Sequence, residues 1–177
     1  MNNSQRIINQ YESKYGIEVP SIIKLFYSMG WIDDLFPEYL DPIHNYKFPL
    51  IKFYEIENCN SVNDKLTIHS FIKADELHLC IDRFIEMWGG LNDFFPLSLE
   101  IMPMSAWILV GINKTNYGQI WLTDEGGGSD LVYLFSSLSE LLLNCRIQWF
   151  EEEIKDIGNI NKLQKNWGEH FWRLKDN

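Results

Sequence analysis

The fold is decided by the stretch WILVGINKTNYGQIWL, which runs from Trp107 to Leu122. Residues 107–112 are apolar almost without interruption, which is typical of a β-strand that is covered on both faces. Residues 113–118 are rich in turn-forming side chains, and residues 119–122 return to an alternating β-type pattern. Two such runs joined by a short glycine-containing loop predict an antiparallel hairpin.

The composition predicts one folded domain with a strongly acidic surface. The chain has 177 residues, of which 46% are hydrophobic and 15% aromatic, and this is enough apolar material for a single core. The formal net charge of -10 disfavours a nucleic-acid-binding protein, because phosphate contacts need a basic surface. It suits a basic protein partner, although acidic chains are also common among ordinary cytosolic proteins.

The cysteines and the N-terminus favour a cytoplasmic protein. Cys59, Cys80 and Cys145 are isolated and odd in number, so we expect buried free thiols rather than disulfides or a zinc site. Residues 1–6 lack the apolar core of a signal peptide, and no run approaches the ~20 apolar residues of a membrane helix.

The first thirty residues predict two helices separated by an extended link. Ser4 is the expected cap of the first helix, which Gly16 ends, and Pro20 begins the second helix, which Gly30 ends. The expected inward positions are Ile7, Ile8, Tyr11 and Tyr15 in the first helix and Ile22, Ile23, Phe26 and Met29 in the second.

The middle of the chain gives weaker patterns. Residues 31–49 are acidic and interrupted by prolines, which predicts a loop with a turn or two of helix. Residues 50–54 fit a strand, while residues 53–62 fit the start of a short helix equally well, and residues 65–72 weakly favour a strand. A clearer helix follows, with Asp75 as its expected cap and Gly89 as its stop.

The remainder of the chain, from residue 94 onwards, is predicted to contain two extended segments and two helices. Residues 94–97 and 131–135 are expected to be extended, and residues 126–128 to form a flexible glycine loop. Ser137 and Glu140 match a capping box, which predicts a helix that carries Cys145 and Trp149 on one face and continues through residues 151–153. Beyond Gly158 the spacing of aromatic residues favours an amphipathic helix that docks on the body.

Several of these segments together resemble the SUKH superfamily, the domain of fungal Smi/Knr-type cell-wall regulators and of many bacterial immunity proteins. The resemblance begins with YESKYGIEVP at residues 11–20, and continues through Phe95-Pro96, the strand 108–112, YGQIW at 117–121 and SLSELL at 137–142. It covers about residues 4 to 150, which leaves residues 151–177 as a C-terminal helical extension. Two departures are Trp31 after Gly30 and a long segment at residues 31–92.

The resemblance implies an α+β fold, with a mainly antiparallel sheet and helices packed around it in a single domain. It also implies a non-enzymatic role, because bacterial members are similar to immunity proteins that bind and neutralise a toxin, often a nuclease. The alternative that it implies is an intracellular regulatory or scaffold protein like the fungal members.

The chain shows no motif of known catalytic or metal chemistry. His44, His69, His78 and His170 lack metal-ligand spacing, and residues 126–128 are not followed by the Lys-Ser or Lys-Thr of a phosphate loop. We therefore expect no metal, no cofactor and no enzymatic activity. An uncharacterised hydrolase, with Asp124 or His78 at its site, is kept as a third hypothesis.

Acidic residues and one tryptophan are the predicted partner-binding residues. Ile120 and Leu122 share one strand face, so Trp121 is expected on the other face, either exposed beside acidic residues as a binding anchor or covered by the C-terminal tail. The predicted contacts to a basic toxin are Asp33, Asp34, Glu38, Trp121, Asp124, Glu125 and Asp130.

Overall fold

A computed structural model describes residues 3–28, 38–41, 46–49, 51–57, 59, 66–102, 104–124 and 131–149. The helices are α1 (Asn3–Tyr15), α2 (Ser21–Ser28), α3 (Leu77–Trp88) and α4 (Leu138–Leu143). The strands are β1 (Glu38–Asp41), β2 (Tyr46–Pro49), β3 (Ile51–Ile56), β4 (Leu66–Phe71), β5 (Phe94–Met102), β6 (Met104–Gly111), β7 (Ile120–Asp124), β8 (Val132–Phe135) and β9 (Cys145–Trp149). The expected α+β fold with antiparallel strands is confirmed.

The first three helices form where the apolar periodicity predicts them, but two of the predicted caps are wrong. Ser4 is buried within the first turn of α1, which begins at Asn3. The cap of α3 is Glu76 rather than Asp75, and its side chain makes no capping hydrogen bond. Gly89 does end α3, since it adopts a φ of 72° and its N–H donates to the carbonyl of Ile85 at 2.8 Å.

The strands form a two-stranded sheet and a seven-stranded sheet. In the larger sheet the order is β8-β7-β6-β5-β4-β3-β9, and every neighbouring pair is antiparallel. The prediction of a loop is wrong for residues 38–41 and 46–49, which pair as the β1–β2 hairpin; Pro49, the last residue of β2, is tolerated because each strand of a two-stranded sheet has an unpaired edge. The strand alternative for residues 50–54 is confirmed where they are described, since β3 spans Ile51–Ile56, and the rest of the 53–62 segment lies largely outside the described residues.

The predicted central hairpin is confirmed, and its first strand is buried on both faces. Side chains from Ala106 to Val110 alternate between the two faces of β6, yet each is at most 4% exposed. β6 lies third in the seven-stranded order, between β7 and β5, so its backbone is hydrogen-bonded on both edges as well. The unbroken apolar run in the sequence therefore reflects burial from both sides.

The link between β8 and β9 requires the seven-stranded sheet to curl. These strands are the two edges of the sheet, and in a flat sheet six strand spacings would separate them by ~29 Å. The chain from Phe135 to Cys145 contains helix α4 and spans at most ~25 Å. Because the link is too short for a flat sheet, the edges must approach each other, with α4 connecting them.

The late helix is shorter than predicted. Ser137 caps α4 by accepting a hydrogen bond from the Glu140 N–H at 3.2 Å, while the Glu140 carboxylate accepts from the N–H of Ser136 at 2.8 Å. The helix ends at Leu143, and Cys145–Trp149 form β9, which pairs with β3. The expected continuation was wrong because Cys145, Ile147 and Trp149 also fit a strand, and β3 supplies a partner.

The turn between β6 and β7 is held by Asn116, whose side chain is buried. Its Oδ1 accepts from the Asn113 N–H at 3.0 Å, and its Nδ2 donates to the carbonyl of Asp93 at 3.3 Å. Gly111 makes this packing possible, since a Cβ atom there would lie 2.0 Å from the carbonyl oxygen of Asn116. The turn is thereby tied to the segment that connects α3 to β5.

We predict that Gly111→Ala lowers the free energy of unfolding by about 3 kcal/mol, because the added methyl group overlaps backbone that Asn116 fixes. Urea denaturation of the wild type and the variant measures this difference in the free energy of unfolding. The control is Gly118→Ala, which has nothing within 4 Å of its added Cβ and costs only about 1 kcal/mol for its φ of 78°. Equal losses in the two variants would show that the Asn116 packing is loose.

Candidate functional site

Three of the predicted contact residues lie in the described part of the chain. Glu38 is the first residue of β1 in the small sheet, and Asp124 is the last residue of β7, where it pairs with Ala106. Trp121 is on β7, so the structure places it on one strand with Asp124 and places Glu38 in a different sheet. Asp33, Asp34, Glu125 and Asp130 lie outside the described residues.

The Trp121 side chain is half-buried and packs against the core, with Phe94 at 6.0 Å and Tyr133 at 5.5 Å between ring centroids, both edge to face. It is therefore not a fully exposed anchor, and the C-terminal tail that the other alternative invokes lies outside the described residues. The alternation on β7 correctly separated Trp121 from Ile120 and Leu122, but the face that carries Trp121 is also covered. Held between two rings, Trp121 offers less free surface to a protein partner than a solvent-exposed anchor would.

Four buried side-chain polar atoms of the described core have no hydrogen-bond partner among the protein atoms. They are Nε1 of Trp88, Trp107 and Trp121 and Oγ1 of Thr123. A few such atoms are ordinary in a folded domain. The ring of Phe84 lies 5.4 Å from those of Trp88 and Trp107, so two of these tryptophans share one aromatic neighbour.

The outer face of α3 combines acidic and apolar side chains. Leu79 is 62% exposed and Met87 is 38% exposed, and both lie outside the stripe formed by Leu77, Ile81 and Phe84. The exposed charged residues beside them are Asp75, Glu76, Asp82, Arg83 and Glu86. We name this surface, with Leu79 and Met87, the α3 face; it carries four carboxylates and one guanidinium group.

The α3 face was not predicted, because apolar periodicity identifies only the inward stripe of the helix. Leu79 and Met87 fall outside that stripe, and their spacing leaves them about 80° apart around the helix. The sequence did contain one signal of this surface, which is a leucine on the charged side of an amphipathic helix.

One tyrosine hydroxyl bonds α3 directly, and a second bonds the segment that precedes it. The hydroxyl of Tyr11 on α1 donates to Oδ1 of Asp82 at 2.6 Å, and that of Tyr27 on α2 donates to the carbonyl of Ile72, between β4 and α3, at 3.1 Å. Burial, with a smaller effect of Cys80, raises the pKa of Tyr27 well above its ordinary value. Burial and the hydrogen bond to Asp82 likewise raise the pKa of Tyr11. The α3 face is therefore connected to α1 through Asp82.

The described cysteines are free thiols, and two of them have raised pKa values. Cys59, Cys80 and Cys145 are free thiols. Burial raises the pKa of Cys59 to about 11 and also raises that of Cys80, so both remain protonated at neutral pH and are poor nucleophiles. Within the described ranges, no three His, Cys, Asp or Glu side chains converge as metal ligands do.

Comparison of the chain with protein-family models, with curated proteins and with solved structures finds no match. The resemblance to the SUKH superfamily therefore stays a prediction. Among the described helices, none is long and apolar enough to cross a membrane.

We predict that the protein loses stability above pH 10 and that Tyr27→Phe reduces this loss. The folded state raises the pKa of Tyr27 above its ordinary value of 10.0, so its stabilising effect is complete below pH 10 and is lost as the pH rises further. The variant should cost about 1 kcal/mol at pH 8, because the hydrogen bond to Ile72 disappears. Between pH 10 and 11 its free energy of unfolding should fall less steeply than that of the wild type, by up to about 1.4 kcal/mol per pH unit.

Urea titrations at pH 8, 9, 10 and 11 measure this slope. Phe26→Leu is the control, because it disturbs the neighbouring ring, 5.6 Å from that of Tyr27, without removing an ionisable group. It should lower stability equally at every pH. A Tyr27→Phe slope identical to that of the wild type would contradict the prediction.

Proposed function

We propose that this protein is a non-enzymatic immunity protein, which binds a basic toxin in the cytoplasm and blocks it. The observation that carries the proposal is the α3 face, where exposed Leu79 and Met87 lie among four carboxylates. The net charge of -10 and the resemblance to the SUKH superfamily support the same function. Direct binding to nucleic acid or to a membrane forms no part of the proposal.

The acidic surface would act first on the encounter with the toxin. A nuclease presents a basic surface to the phosphates of its substrate, and a carboxylate-rich surface is complementary to it in charge. Such complementarity mainly accelerates association, and its effect weakens as salt screens the charges. Asp75, Glu76 and Glu86 are exposed acids on the α3 face that are suited to this role.

Apolar contact would then hold the complex together. Leu79 is the most exposed large hydrophobic side chain among the described residues, and its burial in a pocket of the toxin would release the most apolar surface. Because α3 is anchored through Tyr11 to α1, the helix would present Leu79 without a costly rearrangement. Inhibition follows from occlusion, since a bound protein excludes the much larger nucleic acid.

The acidic residues predicted from the sequence form a second candidate contact surface. Trp121 and Asp124 lie on β7, and Glu125 and Asp130 follow them in the chain. Asp33, Asp34 and Glu38 belong to a different segment. The two surfaces are distinguished by separate charge-neutralising variants.

The proposal is tested with the toxin domain encoded by the adjacent open reading frame, by measuring association and dissociation rates at two salt concentrations. We expect Leu79→Ala to raise the dissociation constant about tenfold, mostly through faster dissociation. The triple variant Asp75→Asn, Glu76→Gln, Glu86→Gln should slow association and reduce its dependence on salt.

Matched controls lie elsewhere on the surface. Leu25→Ala removes a leucine that is 46% exposed on α2, and Glu18→Gln removes an exposed acid next to that helix. Both should bind the toxin like the wild type. If only Asp124→Asn and Glu125→Gln weakened binding, the contact would lie at the end of β7 instead, and absence of any complex with the toxin would end the proposal.

A further inference from the structure

The chain leaves the described fold at the end of the sheet from which α3 begins. Trp149, the last residue of β9, pairs with Ile51, the first residue of β3. Because β3 and β4 are antiparallel, Ile51 lies at the same end of the sheet as Phe71, the last residue of β4. Two strand spacings, or ~10 Å, separate β9 from β4, and α3 begins at Leu77, shortly after β4. The chain that follows residue 149 therefore starts close to α3.

Residues 160–175, with the sequence INKLQKNWGEHFWRLK, differ in charge from the chain as a whole; they lie outside the described residues. They contain four cationic side chains and one acidic side chain, whereas the whole chain has a net charge of -10. We name them the basic segment. Residues 150–159 connect the basic segment to β9, and a link of this length reaches up to ~33 Å, which exceeds the ~18 Å length of α3. The basic segment can therefore reach any part of this helix.

The apolar residues of the basic segment recur at the spacing of one face of a helix. They are Ile160, Leu163, Trp167, Phe171 and Leu174. In helical form this apolar stripe is ~21 Å long. A single helix of this length is only marginally stable in water, so its stripe needs an apolar surface to pack against.

The α3 face offers a surface of matching size and opposite charge. Leu79 is 62% exposed and Met87 is 38% exposed, and they lie ~12 Å apart along the helix axis, so a stripe of ~21 Å is long enough to cover both. The same face carries four carboxylates and one guanidinium group. Leu25 on α2 is the next most exposed leucine among the described residues, at 46%, but α2 contains no acidic residue.

We propose that the basic segment docks as an amphipathic helix on the α3 face, with its apolar stripe against Leu79 and Met87. Removal of these two side chains and of the stripe from water supplies the main favourable free energy. The cationic residues fall mainly on the other sides of such a helix. They therefore attract the carboxylates of α3 through the overall electrostatic field rather than through ion pairs.

Trp121 on β7 is a less suitable contact for the basic segment. The side chain is already half-buried beside the rings of Phe94 and Tyr133, so covering it removes less apolar surface from water than covering Leu79 does.

Docking would also regulate the α3 face. A docked basic segment covers Leu79, so a toxin that contacts this leucine must first displace the segment, and its apparent affinity is reduced by the docked fraction. This consequence rests on the proposed function, whereas the docking itself does not.

Photo-cross-linking of the full-length protein tests the docking. The variant Phe171→p-benzoylphenylalanine places a benzophenone group in the apolar stripe, and mass spectrometry of the digested product locates the residues that it joins. We expect a monomeric product that is cross-linked mainly to residues 79–87. The matched control is Lys165→p-benzoylphenylalanine, which carries the same group on the opposite side of the helix and should give little product.

Two surface variants test whether the cross-link depends on α3. Leu79→Asp, combined with the benzophenone at position 171, should lower the yield about threefold or more, because the apolar contact is lost. Leu25→Asp introduces the same charge on α2 and should leave the yield unchanged. Both leucines are exposed, so we expect both variants to fold, and circular dichroism verifies this.

The proposal is overturned by cross-links to residues 120–135, by products that join only two molecules, by the absence of any product, or by an unchanged yield in Leu79→Asp. The first outcome would place the basic segment over Trp121, and the second would show a contact between copies of the chain. All of these measurements are made without a toxin. Failure of toxin binding would therefore leave the docking standing, and failure of the docking would leave the proposed function standing.

Discussion

Burial of β6 on both faces is the constraint on which the rest of the structure depends. A strand with Trp107, Ile108, Leu109 and Val110 all removed from solvent must have a layer of side chains above and below it. One of these layers includes Phe84 of α3, which contacts Trp107, so the central hairpin also positions the helix. The buried turn residue Asn116 then ties the end of the hairpin to Asp93, at the entrance to β5. Displacement of β6 would therefore disturb α3 and the surface that it carries.

The two sides of α3 have different roles. The inner side packs the rings of Phe84 and Trp88 in the core, and the outer side presents carboxylates and Leu79 at the surface. Tyr11 connects the two sides, because its half-buried hydroxyl donates to the carboxylate of Asp82, an exposed residue. The acidic surface is thus part of the packing of α1 against α3, and charge changes at Asp82 would alter stability as well as binding.

Local patterns determine much of this fold, whereas contacts between distant segments decide the remainder. The hairpin from Trp107 to Leu122 could be predicted because its strands, turn and glycine are adjacent in the sequence. Strand β9 could not be predicted, because Cys145 and Trp149 fit a helix as well as a strand. Only the pairing with β3 excludes the helix. The choice between exposure and coverage of Trp121 stayed open for a related reason, since strand alternation assigns a face but not what covers it. The α3 face was present in the sequence as Leu79, but its significance depends on knowing which side of the helix is free.

The joining of β3 to β9 has a consequence for how the chain assembles. Ile56 pairs with Cys145 across 89 positions of sequence, whereas Gly111 and Ile120 are brought together by a single turn. Contacts between remote segments carry a large loop-closure entropy, so they form late and slow the folding of the whole domain. During synthesis, one edge of β3 stays unpaired until residue 149 has emerged from the ribosome. During that interval the unpaired edge is open to pairing with another molecule.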